Sequence, residues 1–272
     1  MLGASKTLIG YRELIWALAW KSIMVRYKQA YLGLAWAILR PVMLMLIFTL
    51  VRAFVEIDSG GVPYPILTFA ALMPWMLFQD ATSEGVSSIV QNSNLIRKIY
   101  FPREVFPLTA VLTKLVEFGI TIFILAAMMI YYKMVPTVNI FWAPVIILYV
   151  MLVALTISFA GAALNVYFRD VSAALPIALS LLMYASPVIY PLSLVKQKLL
   201  EQHIAGDWSE SLYWLYTANP LAGIIDSYQR VVLKGLPPDW LALLPGMVLT
   251  LILLPLSYML FKKAEAYFAD VV

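Results

Sequence analysis

From Ile140 to Phe168 the chain carries no charged side chain, and from Leu241 to Phe261 it again carries none. An α-helix needs about 20 mostly apolar residues to cross a bilayer, where every backbone N–H and C=O must be satisfied internally. Runs of this kind leave few other folds open. Four further stretches are mostly apolar, three of them interrupted by charged residues: Leu32–Phe54, Tyr64–Val86, Phe106–Tyr132 and Val171–Tyr190. The Tyr64 stretch is the most polar, because Gln79, Asp80, Thr82, Ser83 and Glu84 occupy its latter part. Hydrophobic residues make up 63% of the chain, against about 45–50% in a soluble domain. The expectation is an all-α, polytopic membrane protein with six transmembrane helices.

Six spans place both termini on one side, and charge decides which. Lys6, Arg12, Lys21, Arg26, Lys28, Arg97, Lys98, Arg103, Arg169, Lys262 and Lys263 fall on one side, with Arg40 and Lys114 inside span ends facing it. Arg52, Lys133, Lys196, Lys198, Arg230 and Lys234 fall on the other, giving thirteen basic residues against six. Short loops on the cytoplasmic side carry the excess of Lys and Arg, so both termini are expected in the cytoplasm. No cleavable signal is expected, since Lys6, Arg12 and Glu13 interrupt the first apolar stretch.

Ahead of the first span, Trp16, Trp20, Ile23, Tyr27 and Tyr31 recur at helical spacing, flanked by Arg12, Lys21, Arg26 and Lys28. An aromatic stripe edged with cations suits a helix lying in the headgroup layer, with Trp16, Trp20, Arg26, Tyr27 and Lys28 as its anchors. A cytosolic helix packed on a partner fits the same pattern, and both readings keep it on the inner face. On the outer side the loop from Pro191 to Trp240 is long enough for helices that do not cross. In it, Asn219-Pro220 is a helix start, with Asn as cap and Pro at the first helical position. Leu221, Ile224, Ile225, Tyr228 and Val232 follow at helical periodicity, and Gly235 stops the helix.

No catalytic constellation is visible. His203 is the single histidine, there is no cysteine, and no P-loop motif is present, so the chain is not expected to be an enzyme or to bind ATP itself. Lys114 and Glu117 share a face in the third span, where ionisable groups are expensive and often line a pathway; lying near the inner end, they better suit pairing with each other or reaching headgroups. Arg40 suits snorkelling or gating. Trp36, Tyr184 and Tyr190 suit either aromatic packing or a surface along which sugar rings slide. Arg169 and Asp170 are the whole charge of a tight turn between two spans. They fit either helix-end electrostatics or a cytoplasmic contact point.

Four passages together resemble one family: Val25-Arg-Tyr-Lys-Gln-Ala-Tyr-Leu-Gly-Leu-Ala-Trp36 leading to Arg40-Pro41; Asn94-Leu-Ile-Arg-Lys-Ile-Tyr-Phe-Pro-Arg103; Asn165-Val-Tyr-Phe-Arg-Asp170; and Asn219-Pro-Leu221. In this order and spacing they look like the ABC-2 type membrane subunit of polysaccharide and polyol-phosphate exporters. The resemblance implies a homodimer that pairs with two copies of a separate nucleotide-binding ATPase subunit. ATP and Mg would bind in that partner, with no cofactor and no metal in this chain. The substrate would be a polysaccharide linked to undecaprenyl diphosphate, and no nucleic acid would be involved. The location would be the bacterial cytoplasmic membrane. Asn94, Leu95, Ile96, Arg97, Lys98, Tyr100, Phe101 and Pro102 would couple to the ATPase, with Arg169 and Asp170 as a second contact. Trp36, Arg40, Lys114, Glu117, Tyr184 and Tyr190 would be candidates for the substrate path.

On this basis residues 1–31 form the N-terminal interface helix, and 32–190 hold spans one to five with a coupling helix at 92–103. Residues 191–240 form external gate or re-entrant helices, and 241–272 the sixth span and a cytoplasmic tail. Two other functions share the sequence features: an ABC-2 exporter of a small lipid or drug, and an ion-coupled secondary transporter or flippase. Against the second, no internal repeat and no midplane acidic cluster is evident.

Overall fold

The computed structural model describes residues 12–28, 35–55, 61–98 and 102–268. Among them every regular element is helical. In chain order these are α1 (Arg12–Lys28), α2 (Ala35–Val55), α3 (Tyr64–Gln91), α4 (Ser93–Lys98), α5 (Val105–Tyr131), α6 (Ala143–Tyr167), α7 (Asp170–Tyr184), α8 (Leu192–Lys196), α9 (Ser209–Ala218), α10 (Pro220–Gln229) and α11 (Trp240–Glu265). A 3-10 turn over Val138–Trp142 leads into α6, while α8 and α10 each run on into a single wider turn.

The bundle is built around α3. Nineteen of its 28 residues are buried, among them Phe69, Trp75 and Phe78, and it packs on α2, α5, α6, α7 and α10. A helix enclosed by protein does not need a lipid-grade surface, which is how the one carrying Gln79, Asp80 and Glu84 comes to lie at the centre. Side-chain contacts give the helix directions. Arg52 of α2 lies over the Tyr64 ring at 4.8 Å, while Arg40 meets Asp80 at 2.7 Å, so α2 and α3 are antiparallel. Asn165 of α6 donates to the Val86 carbonyl of α3 at 3.3 Å, and Phe159 of α6 packs on Phe261 of α11 at 5.4 Å. Asp80, Glu84, Glu104, Lys114, Lys262 and Glu265 consequently gather toward one end, hereafter the charged end.

Among the described residues, four segments have the length and apolarity to cross a membrane: Ala35–Phe54, Val105–Tyr131, Val138–Tyr167 and Trp240–Glu265. The remaining two expected spans differ in opposite ways. α3 has the length, about 42 Å at 1.5 Å per residue, but its polar half lowers its apolarity. α7 is apolar, yet its 15 residues reach only about 22 Å. It ends at Tyr184 instead of continuing to Tyr190, and the chain turns there: Tyr190 Oη donates to the Tyr184 carbonyl at 3.0 Å. The outer faces of α2, α7 and α11 are apolar and open, through Leu50, Phe54, Ile177, Leu181, Leu251 and Met259. Lipid or another protein surface must cover them.

At the far end α9 and α10 fold back on α11. Asn219 caps α10, its side-chain oxygen accepting from the Leu221 amide at 3.1 Å. Gly235 ends the following turn at φ +65°, the left-handed region that favours glycine. Where α10 crosses α11 the backbones nearly touch. A Cβ on Gly223 would lie 2.4 Å from the Ala242 carbonyl oxygen, and one on Gly246 would lie 2.5 Å from Pro220 Cα.

Candidate functional site

The charged end carries three adjoining features. The first is the platform made by α1 and α4. α1 packs on α5; Leu18 faces the bundle and Ser22 Oγ donates to Glu84 at 3.2 Å. Its opposite face presents Trp16 and Trp20, exposed and stacked at 6.4 Å. The side chains of Arg26, Tyr27 and Lys28 lie outside the described ones. α4 follows a turn at Asn92, whose side-chain amide donates to the Ser88 carbonyl at 2.8 Å. Six residues do not make a stable helix alone, so packing must hold it. Ile96 is buried and Leu95 half-buried against a second apolar core, distinct from the main one, that contains Ile89, Phe106, Phe159, Phe261 and Phe268. Asn94 and Arg97 are on the exposed side. The Lys98 side chain and residues 99–101, which include Tyr100 and Phe101, lie outside the described residues, and Pro102 is half-buried.

The second feature joins the segment after Pro102 to the end of α11. Lys262 Nζ lies 2.5 Å from Glu104 and 2.7 Å from Glu265. The Arg103 backbone amide donates to the Glu265 carboxylate at 3.0 Å, and its guanidinium donates to the Glu265 carbonyl while lying 6.0 Å from the Phe268 ring. Glu104 is only 3% exposed.

The third is a cavity of about 580 Å³ between α2, α3 and α5. Trp36, Arg40, Lys114 and Glu117 all line it, together with Asp80, Glu84, Ser83, Ser87 and Thr121. Lys114, 5% exposed, reaches Glu84 at 2.7 Å and Glu117 at 3.2 Å. The cavity therefore has one wall of ion pairs and hydroxyls, and another of Trp36, Met73, Met76, Leu77 and Phe118. Such a mixed lining suits a ligand with both polar groups and apolar faces.

The other two aromatic candidates lie at the far end. Tyr216 of α9 donates to Tyr190 Oη at 3.3 Å, which in turn holds the Tyr184 carbonyl. Burial, and then the bond to Tyr190, push the Tyr216 hydroxyl above the usual phenol range. Asn219 Nδ2 donates to Ser186 Oγ at 2.9 Å, so the α7–α8 turn is tied to the start of α10. Arg169 and Asp170 are exposed at the α6–α7 turn, where Ser172 Oγ donates to the Arg169 carbonyl at 2.8 Å.

Sequence reasoning passed over Glu104, Lys262 and Glu265 as members of one site, and named Asn165 only within the Asn165–Asp170 passage, without its role of bridging α3 and the α6–α7 turn. Glu104 had a visible signal: it is the one acidic residue between Asn94 and Pro107. Its partner 158 positions away had none.

A bundle of helices, several long and apolar enough to cross a membrane, with a polar cavity at its charged end is the architecture of a membrane protein. The chain belongs to the ABC-2 type transporter family, whose family model matches residues 13–233. It is similar to the O-antigen export system permease protein RfbA of Myxococcus xanthus, 28% identical over 271 residues and 99% of both chains. It is also similar to the protein of the same name from Klebsiella pneumoniae, 27% identical over 97% of this chain and 96% of that one.

Proposed function

We propose that this chain is the membrane subunit of an ABC exporter that carries a polysaccharide linked to undecaprenyl diphosphate across the bacterial cytoplasmic membrane. Two copies pair with two copies of a separate ATPase subunit, which binds ATP and Mg, while this chain performs no hydrolysis. The observation that carries the reading is similarity over nearly the whole length to permeases named for O-antigen export. The geometry agrees with it. α4 presents Asn94 and Arg97 on the same end of the bundle as α1 and the Arg169–Asp170 turn, as docking to a cytoplasmic ATPase would require. Both termini are then cytoplasmic, and α8 to α10 lie at the outer surface.

In this mechanism movement of the ATPase pushes α4, and the bundle ends shift to admit the polymer. The cavity lined by Trp36, Arg40, Lys114 and Glu117 is where a polar headgroup and a sugar ring find hydroxyls, charges and an aromatic face together. Tyr184 and Tyr190 are then at the exit side. The experiment is purification of the tagged chain in mild detergent, expressed with its genomic neighbours, followed by mass determination and an ATPase assay. An assembly of two permease and two ATPase subunits is expected. A solitary chain without ATPase activity overturns the reading.

A further inference from the structure

α4 has six residues, so by itself it would transmit little force. Two observations show how it is held. Ile96 of α4 is embedded in the second apolar core, among side chains from α3, α5, α6 and α11. Five positions after the last residue of α4, Arg103 and then Glu104 are bonded to Lys262 and Glu265 at the C-terminal turn of α11. Glu104 is nearly inaccessible, and a buried carboxylate is tolerated only with a partner in place. Lys262 supplies it, and Glu265 in turn holds both Lys262 and the Arg103 backbone.

We propose that Arg103, Glu104, Lys262 and Glu265 form a clamp that makes α4 and the last turns of α11 one mechanical unit. Displacement of α4 then carries α11 with it, and through Phe159, Phe261 and Phe268 the inner part of α6. Coupling of this kind travels through packed side chains and bonded networks with rigid elements. The clamp residues are positioning residues: none needs to touch ATP or polymer. α11 also carries Pro255, seven positions before Lys262, which removes one backbone hydrogen bond of the helix there.

The consequence for export rests on the exporter reading, but the clamp is tested on the chain alone. The absence of cysteine makes site-directed spin labelling clean. Labels at Asn94→Cys and Ala266→Cys report the distance between α4 and the end of α11 in detergent or nanodiscs. With the labelled chain diluted into an excess of the same chain without label, so that distances between protomers do not contribute, one narrow distance peak is expected for the parent and for Lys262→Arg, which keeps the charge. Loss of that single peak is expected for Lys262→Met. The neighbouring exposed Lys263→Met is expected to leave it intact. If Lys262→Met does not purify as a monodisperse protein, Glu104→Gln is read at the same contact with the same expectation. An unchanged narrow peak in folded Lys262→Met or Glu104→Gln overturns the clamp, and so does equal broadening in Lys263→Met. A functional readout follows in the assembly with the ATPase: less polymer exported per ATP hydrolysed in Lys262→Met, recovered in Lys262→Arg. Absence of an ATPase partner would remove the exporter reading while leaving the distance result standing.

Discussion

Glu84 of α3 and Lys114 of α5 form an ion pair at 2.7 Å in which the lysine side chain is only 5% exposed. Glu117 adds a second carboxylate at 3.2 Å, so one buried ammonium joins two helices across the cavity wall. Removing one partner of a buried pair costs about 3–5 kcal/mol, because the remaining charge loses its compensation. Lys114→Met should therefore lower stability by about 3 kcal/mol, read as a fall in the thermal midpoint of the detergent-solubilised protein. Adding Glu84→Gln and Glu117→Gln should recover much of the loss, since the uncompensated charges are then gone. A midpoint for Lys114→Met equal to the parent's would show that the pair holds nothing together.

The exposed side of α4 makes a different prediction. Ile96 is buried and seats the helix, whereas Arg97 is exposed. Replacing Arg97 and Lys98 together by glutamate reverses the charge of this segment and leaves Ile96 in place. Export should be lost while membrane insertion and yield remain at the parent's level, measured as surface polymer against membrane-bound protein. Normal export in the double variant would remove α4 from the coupling role.

The crossing of α10 and α11 predicts strict size limits. At Gly223 the nearest atoms to an added Cβ are backbone, at 2.4 and 2.7 Å, and backbone cannot rotate aside. Gly223→Ala should destabilise by about 1–3 kcal/mol through overpacking. Gly119, which has open space around its missing Cβ, should accept alanine without loss. Thermal melts of the two variants in parallel decide it: equal midpoints would mean that the helices separate freely.

How much of this was legible in the sequence varies by element, for physical reasons. The apolar runs at Phe106–Tyr132, Ile140–Phe168 and Leu241–Phe261 match α5, α6 and α11 to within a few residues, because lipid imposes both length and composition. Asn219, Pro220 and Gly235 bound α10 and its final turn through local chemistry that reads directly from residue type. The central place of α3 was hidden, since burial by neighbouring helices leaves no mark on its own hydropathy. The turn after Tyr184 was hidden too, because its bonds come from Tyr216 and Asn219, far along the chain. Trp36, Arg40, Lys114 and Glu117 were each visible as intramembrane oddities. That they line one cavity depends on helix rotations that no single-sequence periodicity sets.

Asp226 gives the last prediction, and it concerns pH. The residue is on α10, outside the segments long and apolar enough to cross a membrane, and is 7% exposed. Burial pushes its carboxyl up from 3.8 to about 6, against the opposing pull of Arg230 and Lys234. Because the folded carboxyl holds its proton more tightly than the unfolded one, stability from this group is fully present below about pH 4. It is lost as pH rises through about 6 and then stays constant. Above that window the buried charge costs on the order of 2–3 kcal/mol, since each pKa unit corresponds to about 1.4 kcal/mol. Asp226→Asn keeps the shape without the charge. Its thermal midpoint should exceed the parent's at pH 7.5, with the gap shrinking as pH falls and closing near pH 4. A constant gap across that range would mean that Asp226 does not titrate there, and a lower midpoint for the variant at pH 7.5 would mean that the carboxylate is held by bonds stronger than its burial cost.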